Sequence, residues 1–285
     1  MRKRKRITTW LLGIFFVGLS ALLYPAVSSY WNSKTQSKAV MNYTERLQTM
    51  DAAETDAMFA AAEQYNRTLA ALDFPLAEYT RVEGYEGAVN VDGQGMIGYL
   101  SVDRLHIKLP IYHGTSEGVL GAACGHLEGS SLPVGGAGRH AVLSAHRGLP
   151  SARLFTDLDK LKVGDRFRIV VLDRTLTYEV DQIRIVLPTD TNDIQIEEGE
   201  DYCTLLTCTP YGINTHRLLV RGRRVEGADT PRVEVQSEAY LIDRLIVMPA
   251  VALPILLALI LYVCLTPPKR KPKLPEMEEE TDETE

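Results

Sequence analysis

Thr204-Leu205-Leu206-Thr207-Cys208 runs into a loop from Thr209 to Thr215, and His216-Arg217-Leu218-Leu219-Val220 runs back. The two runs read as strands joined by a short turn. An antiparallel return brings the start of the second strand beside the end of the first, so Cys208 and a residue near position 217 are expected to be neighbours. Adjacent residues of a strand point to opposite faces. His216 and Arg217 therefore cannot both face Cys208. If Arg217 faces it, a base for the thiol has to come from elsewhere in the chain.

A cysteine near a strand end proves little, because free cysteine is usually a small buried hydrophobe. Nucleophilic use needs a base and a group to hold an oxyanion. His146 ends the run Ala141-Val142-Leu143-Ser144-Ala145 and precedes Arg147-Gly148, a strand-to-loop corner from which side chains reach a site. His106, His113, His126 and His140 also lie near turns or strands, and position alone leaves them open as bases. Cys124 and Cys203 read as buried thiols. Cys203 and Cys208 should point to opposite faces of one strand. No CxxC pair occurs, so a zinc knuckle is not expected.

Outward from this hairpin the pattern is β. Gly98–Val102, Leu109–Tyr112, Ala141–Ala145, Arg166–Leu172, Thr175–Leu187, Tyr202–Cys208 and His216–Arg223 read as short strands. The fourth and fifth form a hairpin around Asp173-Arg174. Ser151 to Leu161 is expected as a short helix with Leu154, Phe155, Leu158 and Leu161 inward. Seven or eight short strands with few helices predict a mainly-β chain closed into a barrel. Upstream, Ser33 to Leu72 is helical in pattern, with Val40, Tyr43, Leu47, Met50, Ala57, Met58, Ala61, Tyr65 and Leu69 at spacings near three and four. A break follows at Asp73-Phe74-Pro75.

The chain ends carry membrane signals. Arg2-Lys3-Arg4-Lys5-Arg6 precedes an uncharged run from Ile7 to about Val27, a length that suits a bilayer crossing or a signal peptide and is read first as an uncleaved anchor, since no small-residue cleavage site is clear. Leu245 to Leu265 carries no charge and is followed by Lys269, Arg270, Lys271 and Lys273. Both basic clusters are expected in the cytoplasm, which puts the intervening body outside. The expected segments are residues 1–30 (basic tip and anchor), 31–89 (helical segment and lid), 90–227 (barrel), 228–244 (linker), 245–265 (second span) and 266–285 (basic then acidic tail). The net charge of −6 leaves no domain-wide basic field, so nucleic acid is not an expected partner. The acidic residues between Asp190 and Asp201 lack EF-hand spacing, and no metal or cofactor is expected.

Three separated segments resemble the sortase family. Thr204 to Cys208 is similar to its T-L-x-T-C signature, Arg217 sits where the family places its arginine, and Ser144-Ala145-His146-Arg147-Gly148 resembles the segment carrying its histidine. Leu109-Pro110-Ile111-Tyr112-His113-Gly114-Thr115, Gly125-His126-Leu127-Glu128-Gly129 and Thr207 to Arg217 resemble the class C, pilin-polymerising branch. The resemblance covers roughly Asn90 to Val225. It implies a closed sortase-type barrel and a cysteine transpeptidase. Cys208 would attack the Thr–Gly bond of an LPxTG-type signal, His146 would move the protons and Arg217 would hold the oxyanion, with Thr207 in the same neighbourhood. The acceptor would be a pilin lysine. Class C sortases carry a lid with an Asp-Pro-aromatic motif. Asp73-Phe74-Pro75 sits at a suitable place with the order altered, so Asp73 is expected to pair with Arg217 and Phe74 to cover Cys208.

Rival readings share part of this pattern. A housekeeping sortase would use the same chemistry to anchor surface proteins to peptidoglycan, differing in its amine acceptor. A papain-like protease would want an early cysteine and a later histidine, the reverse of the order here. A membrane-tethered barrel that only binds peptides would leave Cys208 unreactive.

Overall fold

The structure, a computed structural model, describes residues 2–226 and Leu256. Eight strands occur among the described residues: β1 (Met96–Val102), β2 (Ile107–His113), β3 (Cys124–His126), β4 (Arg139–Ser144), β5 (Arg166–Val171), β6 (Arg174–Val186), β7 (Asp201–Thr209) and β8 (His216–Arg224), with β5 alternating cleanly and β1, β3 and β4 buried over consecutive residues. They close a barrel in the order β1-β2-β3-β4-β7-β8-β6-β5. Most neighbours are antiparallel, but β2 with β3 and β4 with β7 run parallel. Closure pairs every strand on both sides and so leaves no bare edge. The short strand β3 escaped the sequence reading because three residues carry no readable period.

The helical region differs from the expected single stretch over 33–72. Helix α1 (Arg2–Thr49) runs unbroken from the basic tip, and α2 (Ala52–Ala70) starts anew after Met50. Asp51 caps α2 by accepting from the backbone N–H of Glu54 at 2.7 Å. Asp51 and Glu54 stand at capping-box spacing, a restart signal that the apolar spacing hid. The restart shifts the phase. Phe59, Ala62, Tyr65, Asn66 and Leu69 face inward, while Ala57 and Ala61 are exposed.

Among the described residues α1 alone is long and apolar enough to cross a membrane, and none of that apolar stretch is buried. Its lower half docks on the barrel. Tyr43, 2% exposed, donates to the carbonyl of Ile97 at 2.9 Å and accepts from the N–H of Leu172 at 2.8 Å. One phenol thus ties α1 to β1 and to the β5–β6 turn. Asn66 of α2 is fully buried and holds both backbone groups of Leu132, at 2.7 and 3.0 Å. The expected second span, 245–265, and its flanking linker and tail lie outside the described residues, apart from Leu256.

Ser151 to Leu161 forms turns and one 3₁₀ turn (Leu158–Lys160) rather than the expected helix. Leu154, Phe155, Leu158 and Leu161 still all point inward. The apolar spacing was legible. The backbone conformation was not, since Leu154 takes a left-handed φ of 38°, which no helix contains.

Among the described residues, apolar packing falls into two clusters. The large one fills the barrel and continues under α1 and α2. The small one lies on the other face of the sheet, where Val142 of β4, Leu219 of β8 and Ile194 of the β6–β7 connection pack together. Leu76, Leu127, Val186 and Leu206 lean on it. This second cluster floors a cleft.

Candidate active site

The β7–β8 register sets Cys208 opposite Arg217, as the antiparallel return requires. Thr209 then faces His216, which carries His216 to the opposite side of the strand. Parallel pairing of β4 with β7 sets Ser144 beside Leu206 and brings the end of β4 to the same rim. His146 follows two residues later. Ala145 donates to the carbonyl of Leu206 at 3.2 Å, and Thr207 donates its hydroxyl to the carbonyl of Ala145 at 2.8 Å. Two strands distant in sequence are thereby pinned together one residue before each functional side chain. Cys208, His146 and Arg217 all line one cleft of about 580 Å³.

The three side chains differ in how they are held. Cys208 is half-buried and free, whereas Cys124 and Cys203 are fully buried, and burial pushes both of those thiols up. A thiolate is therefore disfavoured at Cys124 and Cys203. Arg217 donates from Nη1 to the carbonyls of Asn214 and His216, at 3.2 and 3.1 Å. The turn thus aims the guanidinium while Nε and Nη2 keep their donors. The corner carrying His146 is braced on two sides. Arg147 pairs with Asp159 at 2.5 Å, and the ring of Tyr211 lies where a β-carbon on Gly148 would sit, at 2.8 Å. Gly148 has φ of +79°, so glycine is required there twice over.

The Nε2 atom of His146 is buried and makes no hydrogen bond, although Oε1 of Glu117 stands 3.4 Å away. The pair meets the distance of an ion pair without the alignment of a hydrogen bond. Glu117 opens the short helix α4 (Glu117–Leu120) and is 87% exposed. Sequence reading missed it, because nothing in its spacing ties it to His146.

Position alone left four other histidines open, and the structure takes all four out of the cleft lining. His126 is fully buried, with Nδ1 accepting from Tyr85 at 2.9 Å and Nε2 donating to the carbonyl of Ser131 at 2.8 Å. His140 donates to the carbonyl of Gln195 at 2.7 Å and accepts from Thr204 at 2.8 Å. Desolvation pulls each down to a pKa of about 4. His113 donates to the carbonyl of Gly95 at 3.0 Å, and burial lowers its pKa as well. His106 is exposed on the β1–β2 turn.

Thr207 is among the residues that line the cleft, 1% exposed, with its hydroxyl donating to the carbonyl of Ala145. Asp73 and Phe74 are both exposed, and no ion pair joins Asp73 to Arg217 among the described residues. Pro75 starts a helical turn, α3 (Pro75–Glu78), which leaves Phe74 at its outer end, 69% exposed. Leu76 and Tyr79, one turn further on, line the cleft instead. The backbone of Pro75 and Leu76 lies against Gly129, where an added β-carbon would come within 2.8 Å of the Leu76 Cα.

The likeness to known proteins follows the barrel. Residues 100–225, from within β1 to just past β8, match the sortase domain. Sortase C1 from Streptococcus agalactiae is 49% identical and superposes with a TM-score of 0.60, covering 66% of this chain and 98% of that one. Sortase C from Streptococcus pneumoniae, whose structure is described for catalysis and pilin substrate specificity, is 44% identical with a TM-score of 0.59, covering 68% and 99%. Sortase D from Bacillus subtilis is 30% identical over 131 residues, 45% of this chain, and the matched stretch spans 63% of that relative's length. Fold and sequence likeness fall on the same barrel, and the chain belongs to the sortase family of cysteine transpeptidases, with class C sortases as its structural neighbours.

Proposed function

We propose that this chain cleaves an LPxTG-type sorting signal between Thr and Gly and transfers the new carboxyl end to a pilin lysine. The observation that carries the reading is the convergence of Cys208, His146 and Arg217 on one cleft, with Cys208 and Arg217 directly cross-strand. The Cys208 sulfur attacks the Thr carbonyl, and the oxyanion that forms is held by the Nε and Nη2 donors of Arg217. The C–N bond breaks as His146 delivers a proton to the departing glycine amine, leaving a thioester on Cys208. The lysine amine then attacks the thioester, His146 takes a proton from it, and the C–S bond breaks to leave an isopeptide. The apolar floor formed by Val186, Ile194, Leu206 and Leu219 suits the leucine and proline of the signal.

The segment Pro75–Arg81 acts as the lid in this reading, with Leu76 and Tyr79 as its cleft-facing residues rather than Asp73 and Phe74. The apolar part of α1 and the uncharged run at 245–265 anchor the chain, with the barrel outside the cell and both termini in the cytoplasm. Incubating the full-length protein in detergent with an LPxTG peptide and weighing it intact tests the chemistry. A thioester adduct on wild type and none on Cys208→Ala is the expected result. An adduct on both, or turnover without Cys208, would overturn the assignment of the nucleophile.

A further inference from the structure

A transpeptidase must favour an amine over the water that surrounds it, and Glu117 is placed to supply that preference. Its carboxylate is 87% exposed, yet its Oε1 lies 3.4 Å from Nε2 of His146. That nitrogen is itself buried and without a hydrogen-bond partner. An exposed carboxylate at this range is a weak brace for an imidazole, because water screens the pair and the side chain holds no fixed hydrogen bond. It is well suited to meeting a cation that arrives from solvent. Leu120, at the other end of α4, lines the same cleft, so the helix carrying Glu117 borders the reacting groups.

We propose that Glu117 selects the acceptor: its carboxylate receives a primary ammonium group and presents it to Nε2 of His146. This rests on the transpeptidase reading above. The ammonium gives one proton to His146, and the resulting amine attacks the thioester carbonyl on Cys208. The C–S bond breaks, the thiolate leaves beside the imidazolium, and the new amide nitrogen loses its second excess proton to solvent. Glu117 itself neither gains nor loses a proton. Water carries no charge for the carboxylate to hold, so hydrolysis of the same thioester draws nothing from Glu117.

The test uses the full-length protein in detergent, an LPxTG peptide as donor, and either a lysine-containing peptide or hydroxylamine, which is neutral at pH 7.5, as acceptor. Glu117→Gln should acylate at the wild-type rate and hydrolyse at the wild-type rate. Its ratio of lysine transfer to hydrolysis should fall about fivefold, the scale of one lost exposed charge contact. Transfer to hydroxylamine should be unchanged, and Glu117→Asp should recover part of the lysine ratio. An unchanged ratio in Glu117→Gln would overturn the inference. So would an equal fall in acylation, lysine transfer and hydroxylamine transfer, which would mark Glu117 as a positioning residue for His146. If wild type forms no thioester, the transpeptidase reading fails and takes this inference with it. A thioester with an unaltered partition defeats the inference alone.

Discussion

Cys203 and Cys208 share strand β7 and lie in opposite environments. Cys203 points into the barrel, fully buried beside Leu205 and Ala141, and its thiol is pushed up by desolvation. Cys208 points the other way, into the cleft, with Arg217 across the strand. A second contrast runs along the outer face itself. His140 and Thr204 are sealed beneath the β6–β7 connection through Gln195, whereas His146 and Cys208 lie beyond it, in the cleft. Access to the cleft follows which side of a strand a residue takes and whether a connection covers it. Residue type alone does not decide it.

The sharpest way to break this comparison is to exchange the two cysteines' fates. Cys208→Ala is expected to lower peptide turnover by on the order of 10³-fold or more, whereas Cys203→Ala should leave turnover within about twofold of wild type. Comparable losses in kcat from both variants would mean that the buried thiol takes part. Next in size is the oxyanion donor. Arg217→Ala should reduce kcat by roughly 10²- to 10³-fold with the thiol still present, and Arg217→Lys should recover little, since a point ammonium cannot reproduce the guanidinium's fixed donors.

The buried histidines give the comparison a pH dependence. His126 and His140 have folded pKa values near 4, below the ordinary 6.5, so between these limits the unfolded chain binds protons that the folded chain refuses. Proton uptake then favours unfolding. Stability should fall as pH drops from 6.5 towards 4, by up to about 3 kcal/mol for each histidine, and level off below that. Denaturant titrations across this range check it, and His140→Asn should flatten part of the slope. A stability that does not change over the window would contradict the buried, neutral state of both rings.

The smallest effect concerns the segment over the cleft. Leu76→Ser removes roughly 1 kcal/mol of apolar contact, so alkylation of Cys208 should quicken about fivefold. Phe74→Ser, on the outward side, should leave the rate as it is. The reverse pattern would restore Phe74 as the covering residue.

Much of the site was legible because it rests on local rules. The hairpin geometry placed a residue near position 217 beside Cys208 and allowed only one of His216 and Arg217 to face it, and the apolar positions of Ser151 to Leu161 were right even though their backbone was not helical. The α1–α2 boundary was legible in principle, in Asp51 and Glu54, but was read over. Glu117 and Leu76 were not legible. Their roles arise from contacts with His146 and with the Val142, Ile194 and Leu219 cluster, and no period or motif links those positions.

Strand alternation and turn reversal act over a few residues, so the sequence by itself carried most of the strand set and the placing of Cys208 beside position 217, while the family resemblance carried the reading of Cys208 as nucleophile. Tertiary structure decided which of five histidines reaches the cleft, which residues of the 73–81 segment cover it, and that Thr207 is spent on holding β4. Those outcomes depend on the parallel β4–β7 pairing and on barrel closure. Such pairings join segments about 60 residues apart, where no local propensity carries information about the partner.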